Sequence, residues 1–197
     1  MPDDWRSLFN GEDLDGWFAT SLPGRWTVED GCISLSDPQG GSFLCTEAYF
    51  DDFDFDFEYN HEPECNSGVY FRWSELTDRA TGMEIQILDT YDADDVPPTA
   101  ECGALYDMAA PEVDATKPAG EWNHMRITCD GPTIRAELNG ETTVDVDIDD
   151  WDTPGENPDG TDHKFGYAMC ELPRRGRLGL QDHGGRIRFR NLRIRER

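Results

Sequence analysis

Strict alternation of side chains constrains the fold of this chain more than any other feature. From Phe53 to Tyr59, four aromatic residues alternate with three acidic residues. Successive side chains of a β-strand point to opposite faces, so this segment puts its aromatic rings on one face and its acids on the other. The pattern predicts a half-buried strand of an antiparallel sheet.

Further short alternating runs, separated by turns, fill most of the chain. Residues 124–129 and 133–138 predict two paired strands, and Asn139-Gly140 predicts a tight hairpin turn into a strand at 143–148. In the C-terminal run the alternation changes phase at Arg190-Asn191, which indicates a β-bulge. Many short strands with regular turns favour a β-sandwich or jelly roll.

Helical signals are weak throughout. A convincing apolar stripe at helical period is missing, and single helical turns are suggested only at 74–78 and 111–114. Two long connections rich in Pro, Gly and Asp, at 91–120 and 149–165, are of the kind that carries function or wraps a site. At 197 residues, the chain is expected to form one all-β antiparallel domain spanning 1–197.

The chain is strongly acidic, with a net charge of −25 from 42 acidic and 17 basic residues. Such a charge repels phosphate backbones and anionic membranes, so neither nucleic acid nor a membrane surface is an expected partner. Lys117 and Lys164 are the only lysines. This surface fits either adaptation to high salt, which screens self-repulsion, or ordinary acidic solvation.

Neither the N-terminus nor the rest of the chain carries a membrane signal. The start has no basic or apolar leader segment, so no secretory signal is predicted, and a cytoplasmic location is expected unless a signal was removed. No apolar run reaches the roughly 18 residues that span a bilayer. Six cysteines lack zinc-ligand spacing and favour buried free thiols, with disulfides the alternative for an exported protein.

Three segments place polar side chains on strands that also carry apolar ones: 66–73, 84–89 and 179–184. In each segment polar side chains share one strand face, and the pairs are Tyr70 with Arg72, Glu84 with Gln86, and Gln181 with His183. Charged groups removed from water are costly unless they are paired or used. The set predicts a polar, sugar-sized cleft on one face of a sheet.

Short motifs match one known bacterial family nearly end to end. In chain order they are Leu8-Phe9-Asn10-Gly11, Gly16-Trp17, Glu29-Asp30-Gly31, Asn66-Ser67-Gly68-Val69-Tyr70-Phe71-Arg72, Glu84-Ile85-Gln86-Ile87-Leu88-Asp89, Gly120-Glu121-Trp122-Asn123, Leu138-Asn139-Gly140, Gly179-Leu180-Gln181-Asp182-His183-Gly184 and Phe189-Arg190-Asn191-Leu192. Through them the chain resembles the 3-keto-disaccharide hydrolase domain family, formerly a domain of unknown function. Each motif alone is weak, but together and in order they are specific for the family.

The resemblance implies a fold similar to concanavalin A-like lectins and glucanases. It implies a small carbohydrate substrate, a glycoside oxidised to a ketone at sugar carbon 3, and cleavage of its glycosidic C1–O bond. A 3-keto group acidifies the C2 hydrogen, so a base can remove it, the aglycone can leave by elimination, and water can add. Two rivals stay open: a non-catalytic carbohydrate-binding module, and an ordinary hydrolase with two carboxylates.

Glu84 is the predicted base, because desolvation between apolar neighbours would raise its pKa. Arg72 is predicted to hold the keto or enolate oxygen. His183 is predicted as a second acid–base group. The alternatives are a structural ion pair between Glu84 and Arg72, and a histidine hydrogen-bonded to the backbone.

The remaining predicted site residues contact the substrate. Asn66, Gln86 and Gln181 are amides suited to sugar hydroxyls. Tyr106 is expected to roof the cleft, and Asp89 to orient Arg72 or close the site. No cofactor is assigned; a divalent metal at Glu84 and His183, with Asp182 or Asp89 nearby, is the alternative. Asp182 is otherwise expected to be structural.

Overall fold

A computed structural model describes residues 4–21, 25–74 and 81–197 of the chain as two antiparallel β-sheets packed face to face. The strands of these residues are β1 (Arg6–Ser7), β2 (Trp17–Ala19), β3 (Trp26–Glu29), β4 (Cys32–Leu35), β5 (Ser42–Thr46), β6 (Phe53–His61), β7 (Asn66–Ser74), β8 (Thr81–Leu88), β9 (Asn123–Asp130), β10 (Thr133–Leu138), β11 (Glu141–Asp147), β12 (Arg177–Asp182) and β13 (Ile187–Glu196). Short 3₁₀ turns lie at Pro98–Ala100, Ile148–Asp150 and Met169–Glu171.

The sheets differ in size. The eight-stranded sheet has the order β11-β10-β9-β6-β13-β4-β3, with β1 also paired to β13. The five-stranded sheet has the order β2-β5-β12-β7-β8. This arrangement confirms the all-β antiparallel sandwich expected from the alternating runs.

The core lies between the sheets, as the alternation predicts. The aromatic side chains of β6 are fully buried, and they meet Val69, Ile85 and Leu180 from the five-stranded sheet. Each large apolar side chain that is fully buried contributes about 1.5–3 kcal/mol. The same alternation turns Tyr70 of β7, Glu84 and Gln86 of β8 and Gln181 of β12 towards the outer face of the smaller sheet.

The acidic face of β6 is also shielded from water, unlike the half-buried strand predicted. Asp56 is buried beneath arginines of the neighbouring strands, with 2.9 Å from Arg193 Nε to Asp56 Oδ1 and 2.8 Å from Arg126 Nη2 to Asp56 Oδ2. Burial alone would raise the pKa of Asp56, but hydrogen bonds from His124, Arg126 and Arg193 outweigh it and hold this pKa well below its ordinary value.

Several local predictions are confirmed. β9 and β10 pair in register from Asp130 opposite Thr133, and Asn139 and Gly140 have the positive φ of 53° and 92° that a tight hairpin requires. Asn191 has φ of 56° at the register shift between β13 and β6, which is the predicted bulge. Residues 111–114 form no helical turn, and the turn suggested at 74–78 falls mostly outside the described residues.

Arg72 lies at a second bulge, which overturns the expectation that it shares a face with Tyr70. The β7–β8 register shifts after Phe71, and Arg72 has φ of +50°. Its guanidinium donates to the carbonyl of Gly131 at 2.8 Å and pairs with Asp52 at 3.2 Å. The extra residue in the strand reverses the alternation, so the parity argument for Arg72 is wrong.

Two further observations concern the state of the cysteines and the length of the helices. All six cysteines are free thiols, and five of them are buried. Among the described residues, no helix combines the length and apolar character needed to cross a bilayer.

Candidate functional site

A polar cleft of about 180 Å³ opens on the outer face of the five-stranded sheet, over β12, β7 and β8. Its lining residues are Asn66, Tyr70, Glu84, Gln86, Tyr106, Lys164, Gln181 and His183. Six of them are residues that the sequence assigned to the site. The cleft therefore brings together most of the predicted set, while Tyr70 and Lys164 were given no role.

Strand register places the central groups side by side. Tyr70 on β7 lies opposite Glu84 on β8 and opposite Gly179 on β12. Directly opposed residues of neighbouring strands lie close enough for their side chains to interact. The phenol of Tyr70 therefore lies between the carboxylate of β8 and the amide of Gln181, which follows Gly179 by two residues on the same face.

Glu84 is buried in the floor of the cleft, with 5% of its surface exposed. Burial raises the pKa of Glu84 to about 7, although a hydrogen bond with Tyr70 and the charge of Lys164 act in the opposite direction. Within the described part of the chain, its Oε1 has no hydrogen-bond partner. Arg72 makes its ion pair with Asp52, so the structural Glu84–Arg72 pair considered from the sequence is not observed.

Gly68 makes room for this carboxylate. A Cβ atom at Gly68 would collide with Oε1 of Glu84 and would lie 2.8 Å from its Cδ. Real Cβ atoms do not approach other atoms this closely, so a larger residue would push the carboxylate aside. The missing side chain at residue 68 thus allows Glu84 to lie across β7 towards Tyr70.

Tyr70 links two of the lining groups. Its hydroxyl hydrogen-bonds with the Glu84 carboxylate, and Gln181 Nε2 donates to the Tyr70 oxygen at 3.4 Å. Burial and the neighbouring Glu84 charge raise the pKa of Tyr70 well above its ordinary value, so it stays a neutral donor. Gln181 Oε1 is buried without a partner among the described residues. Two unpaired acceptors, one on Gln181 and one on Glu84, are thus available to a ligand.

The first long connection closes one side of the cleft. Its residues 103–106 pair with the edge of β8: Gly103 N donates to Gln86 O at 2.9 Å, and Tyr106 N donates to Glu84 O at 3.0 Å. This pairing places the Tyr106 ring at the cleft, where the sequence predicted a roof. We name residues 103–106 the strap.

The second long connection, residues 149–165, places Lys164 at the same cleft. Lys164 N donates to Asp107 Oδ2 at 2.6 Å, and Lys164 Nζ lies 3.9 Å from the centre of the Tyr106 ring. Its charge is near enough to Glu84 to lower the pKa of that carboxyl. Sequence reasoning identified this loop as a candidate for function but did not single out Lys164, although it is one of two lysines in the chain.

His183 lies exposed at the rim, directly after β12 ends. The following glycines have positive φ, and Gly184 O accepts from Asn66 N at 2.8 Å. This contact joins the turn after β12 to the start of β7, so Asn66 and His183 lie at the same end of the cleft. Gln86 is buried beside Glu84 on the same face of β8.

Three residues considered for the site lie elsewhere. Arg72 faces away, as described above, and Asp89 accepts from Glu64 N at 2.9 Å outside the cleft lining. Asp89 therefore neither orients Arg72 nor closes the cleft. Asp182 is fully buried and pairs with Arg25 at 3.0 Å, which confirms its structural role.

The described side chains form no cluster of ligands that would support metal binding. Over residues 4–21, 25–74 and 81–197, no group of three or more His, Cys, Asp and Glu side chains is close enough to hold a metal ion. Glu84 and His183 both line the cleft, but the proposed third ligands Asp182 and Asp89 do not join them.

Comparisons with known proteins relate the chain to one protein family. The model of the 3-keto-alpha-glucoside-1,2-lyase-like domain matches residues 4–195. A Bacteroides thetaiotaomicron protein named 3-keto-disaccharide hydrolase is 26% identical over 98% of this chain and 78% of its own length. A crystal structure of a candidate glycosyl hydrolase from Parabacteroides distasonis is 33% identical, with a TM-score of 0.87 over 98% of this chain and 99% of the other.

More distant structures share the fold alone. The carbohydrate-binding module CBM66 from Bacillus subtilis is 14% identical and has a TM-score of 0.58 over 92% of this chain and 96% of its own. The exoplasmic domain of VIP36 is 10% identical, with a TM-score of 0.55 over 95% of this chain and 86% of its own. These neighbours agree with the lectin-like and glucanase-like sandwich expected from the sequence.

Proposed function

Because the chain belongs to the 3-keto-alpha-glucoside-1,2-lyase-like domain family, we propose that it cleaves the glycosidic bond of 3-keto-glycosides by removing the proton from sugar carbon 2. The observation that carries this proposal is the buried Glu84 carboxyl in a polar cleft, with a pKa raised to about 7. A general base works best when its pKa lies near the working pH. The name of the Bacteroides relative, a 3-keto-disaccharide hydrolase, supports the same substrate class.

The first step is proton transfer. Oε1 of Glu84, which has no partner among the described residues, takes the hydrogen from C2. The electrons of that C–H bond form a C2=C3 double bond and leave a negative charge on the C3 oxygen. We assign stabilisation of this charge to the Lys164 ammonium, which lines the cleft and acts on Glu84, in place of Arg72.

The second step breaks the glycosidic bond. The enolate electrons form a C1=C2 double bond, re-form the C3 ketone and expel the aglycone oxygen from C1. His183 at the rim is the group that protonates this oxygen. A water then adds its hydroxyl at C1 and gives its remaining proton to His183, while C2 regains a proton from Glu84, so one water is consumed and both groups are restored. Gln86, Gln181 and Asn66 hold the sugar hydroxyls.

A two-carboxylate hydrolase fits this cleft less well. Such enzymes use carboxyl groups about 5–9 Å apart on either side of the bond. Of the described residues that line the cleft, Glu84 alone carries a carboxylate, and Asp89 is bound to Glu64 N outside it. One carboxyl is enough for elimination, because the same group can remove the C2 proton and later return it.

The test is release of nitrophenol from nitrophenyl 3-keto-glucoside, beside the unoxidised glucoside, with and without chelator. We expect release from the keto sugar only, and a loss of at least about 100-fold in kcat for Glu84→Gln. The exposed Glu121→Gln is the matched control and should behave as wild type. Sugar binding without turnover, unchanged in Glu84→Gln, would instead identify a carbohydrate-binding module. Chelator sensitivity would show that a metal takes part.

A further inference from the structure

Phe43, a partly exposed aromatic residue, borders the cleft on the outer face of the five-stranded sheet. Phe43 on β5 lies opposite Gln181 on β12, and its partly exposed ring meets Tyr70 edge-on at 4.9 Å between ring centres. Trp73 lies beyond and backs Phe43: it is buried, with 7% of its surface exposed, and its ring lies 6.3 Å from that of Phe43 and is tilted by 28°. We name Phe43 and Trp73 the aromatic ledge.

The bulge at Arg72 creates this ledge. Simple alternation along β7 would turn Trp73 into the core with Val69 and Phe71. The extra residue reverses the phase, so Trp73 packs against Phe43, whose neighbour is Tyr70. The same bulge therefore turns Arg72 away from the cleft and places the ring of Trp73 behind Phe43.

Described residues close the cleft on two sides. The strap and Lys164 close the β8 side, and the turn after β12 lies at the Asn66 end. Its volume of about 180 Å³ suits one sugar ring. Among the described residues, the side of the cleft that runs across β12 towards β5 is bordered by Phe43, so a second sugar ring that extends this way meets Phe43.

We propose that Phe43 binds the leaving group of the substrate, which in a 3-keto-disaccharide is the second pyranose ring. This inference rests on the proposed function, since it assigns the aglycone position of the same site. One face of a pyranose is lined by C–H groups, which pack on an aromatic ring, while its hydroxyls need polar partners at the edge. Phe43 supplies the ring, and Gln181 beside it supplies an amide. Phe43 is thus a specificity-determining residue that ranks leaving groups.

The test compares two substrates that differ only in the leaving group: methyl 3-keto-glucoside and a 3-keto-glucosyl-glucose disaccharide. We expect Phe43→Ala to lower kcat/KM for the disaccharide about tenfold, and to leave the methyl glycoside within about twofold. Phe43→Tyr, which keeps the ring, should retain the wild-type ratio. Phe18→Ala is the control, because Phe18 lies one strand further on β2, under Arg177.

Equal losses on both substrates, or no loss on either, would overturn the role of Phe43. The proposed function can fail separately, in which case the wild type cleaves neither keto-glycoside. Calorimetric binding of the 3-keto-disaccharide to Glu84→Gln and to the Glu84→Gln/Phe43→Ala double variant then decides the matter. About tenfold weaker binding in the double variant supports the ledge, and equal affinity rejects it.

Discussion

At the scale of single residues, burying Glu84 lowers the stability of the folded protein and makes the carboxylate a better base. A buried carboxyl prefers its neutral form, so its pKa rises from 4.5 to about 7. The same burial keeps water away and leaves one carboxylate oxygen free for a substrate proton. Groups of this kind recur at catalytic sites, where some stability is given up for activity.

The raised pKa of Glu84 makes the free energy of unfolding depend on pH. The folded protein binds the proton more tightly than the unfolded chain, so this contribution is fully present below pH 4.5 and is lost as pH rises through about 7. The loss is roughly 3 kcal/mol, from 1.36 kcal/mol per pKa unit. We expect Glu84→Gln to be more stable than wild type at pH 8, with little difference at pH 4.5, in urea titrations. An equal difference at both pH values would contradict this cause.

Gly68 offers a way to move the Glu84 carboxylate without changing it. A methyl group at position 68 collides with Oε1 of Glu84, so Gly68→Ala should displace the base and lower kcat at least about tenfold. The pH at half-maximal activity should shift as well, because the carboxyl leaves its buried place. Gly179→Ala is the matched control, since its Cβ would make only ordinary contacts of 3.4 Å or more. Similar effects of both substitutions would argue against a positioning role.

At the scale of elements, Asp182 fixes the loop between β4 and β5 to the end of β12. Its carboxylate pairs with Arg25 at 3.0 Å and accepts from Gly40 N at 2.9 Å and from Ser42 Oγ at 3.2 Å. The neighbouring residue is His183, so this anchor also sets where the rim of the cleft lies. A carboxylate that is buried and satisfied in this way supports the position of its neighbours.

Asp182→Ala should lower the free energy of unfolding by about 3–5 kcal/mol, because it leaves the Arg25 charge buried and unpaired. Glu196→Ala provides the contrast, since it breaks an exposed pair with Arg6 and should cost at most about 1 kcal/mol. Equilibrium denaturation of the two variants measures both values. Comparable losses would mean that the buried network is not what holds this loop.

Only some of the site residues could be predicted from the alternation within the strands. Glu84, Gln86 and Gln181 were found because unbroken strands alternate strictly. Arg72 was misplaced because its bulge carries no glycine or proline to reveal it, unlike the phase change at Arg190-Asn191, which the apolar pattern does reveal. Lys164 reaches the cleft from a loop far along the chain, so strand periodicity contains no signal for it.

At the scale of the whole molecule, the two-sheet sandwich followed from the sequence, since the aromatic face of β6 needed a covering layer and the chain carries no helical pattern to supply one. Strand order could not be derived in the same way. β6 pairs with β9 and with β13, which lie far from it in the chain, and such pairings depend on the packing of the complete core. The family resemblance, and not periodicity, supplied the chemistry.

Net charge is also a property of the whole molecule. At −25, self-repulsion opposes the compact state, and salt screens it over about 10 Å at 0.1 M and about 3 Å at 1 M. We expect the Tm to rise by several degrees between 0.1 and 1 M KCl, measured by calorimetry. Sucrose at equal osmolality controls for general solute effects and should raise it less. An unchanged or lower Tm in KCl would favour ordinary acidic solvation over adaptation to salt.

Removal of the C2 proton by Glu84 is the step on which the proposed function depends. The most direct measurement is the rate of single-turnover cleavage of a 3-keto-glycoside that carries deuterium at C2, compared with the protiated substrate. If C–H cleavage by Glu84 limits this step, the deuterated sugar reacts several-fold more slowly, and Glu84→Gln cleaves neither. Equal rates for both sugars, with Glu84→Gln cleaving them as fast as the wild type, would show that the bond breaks without proton removal by Glu84 and would rule out this role.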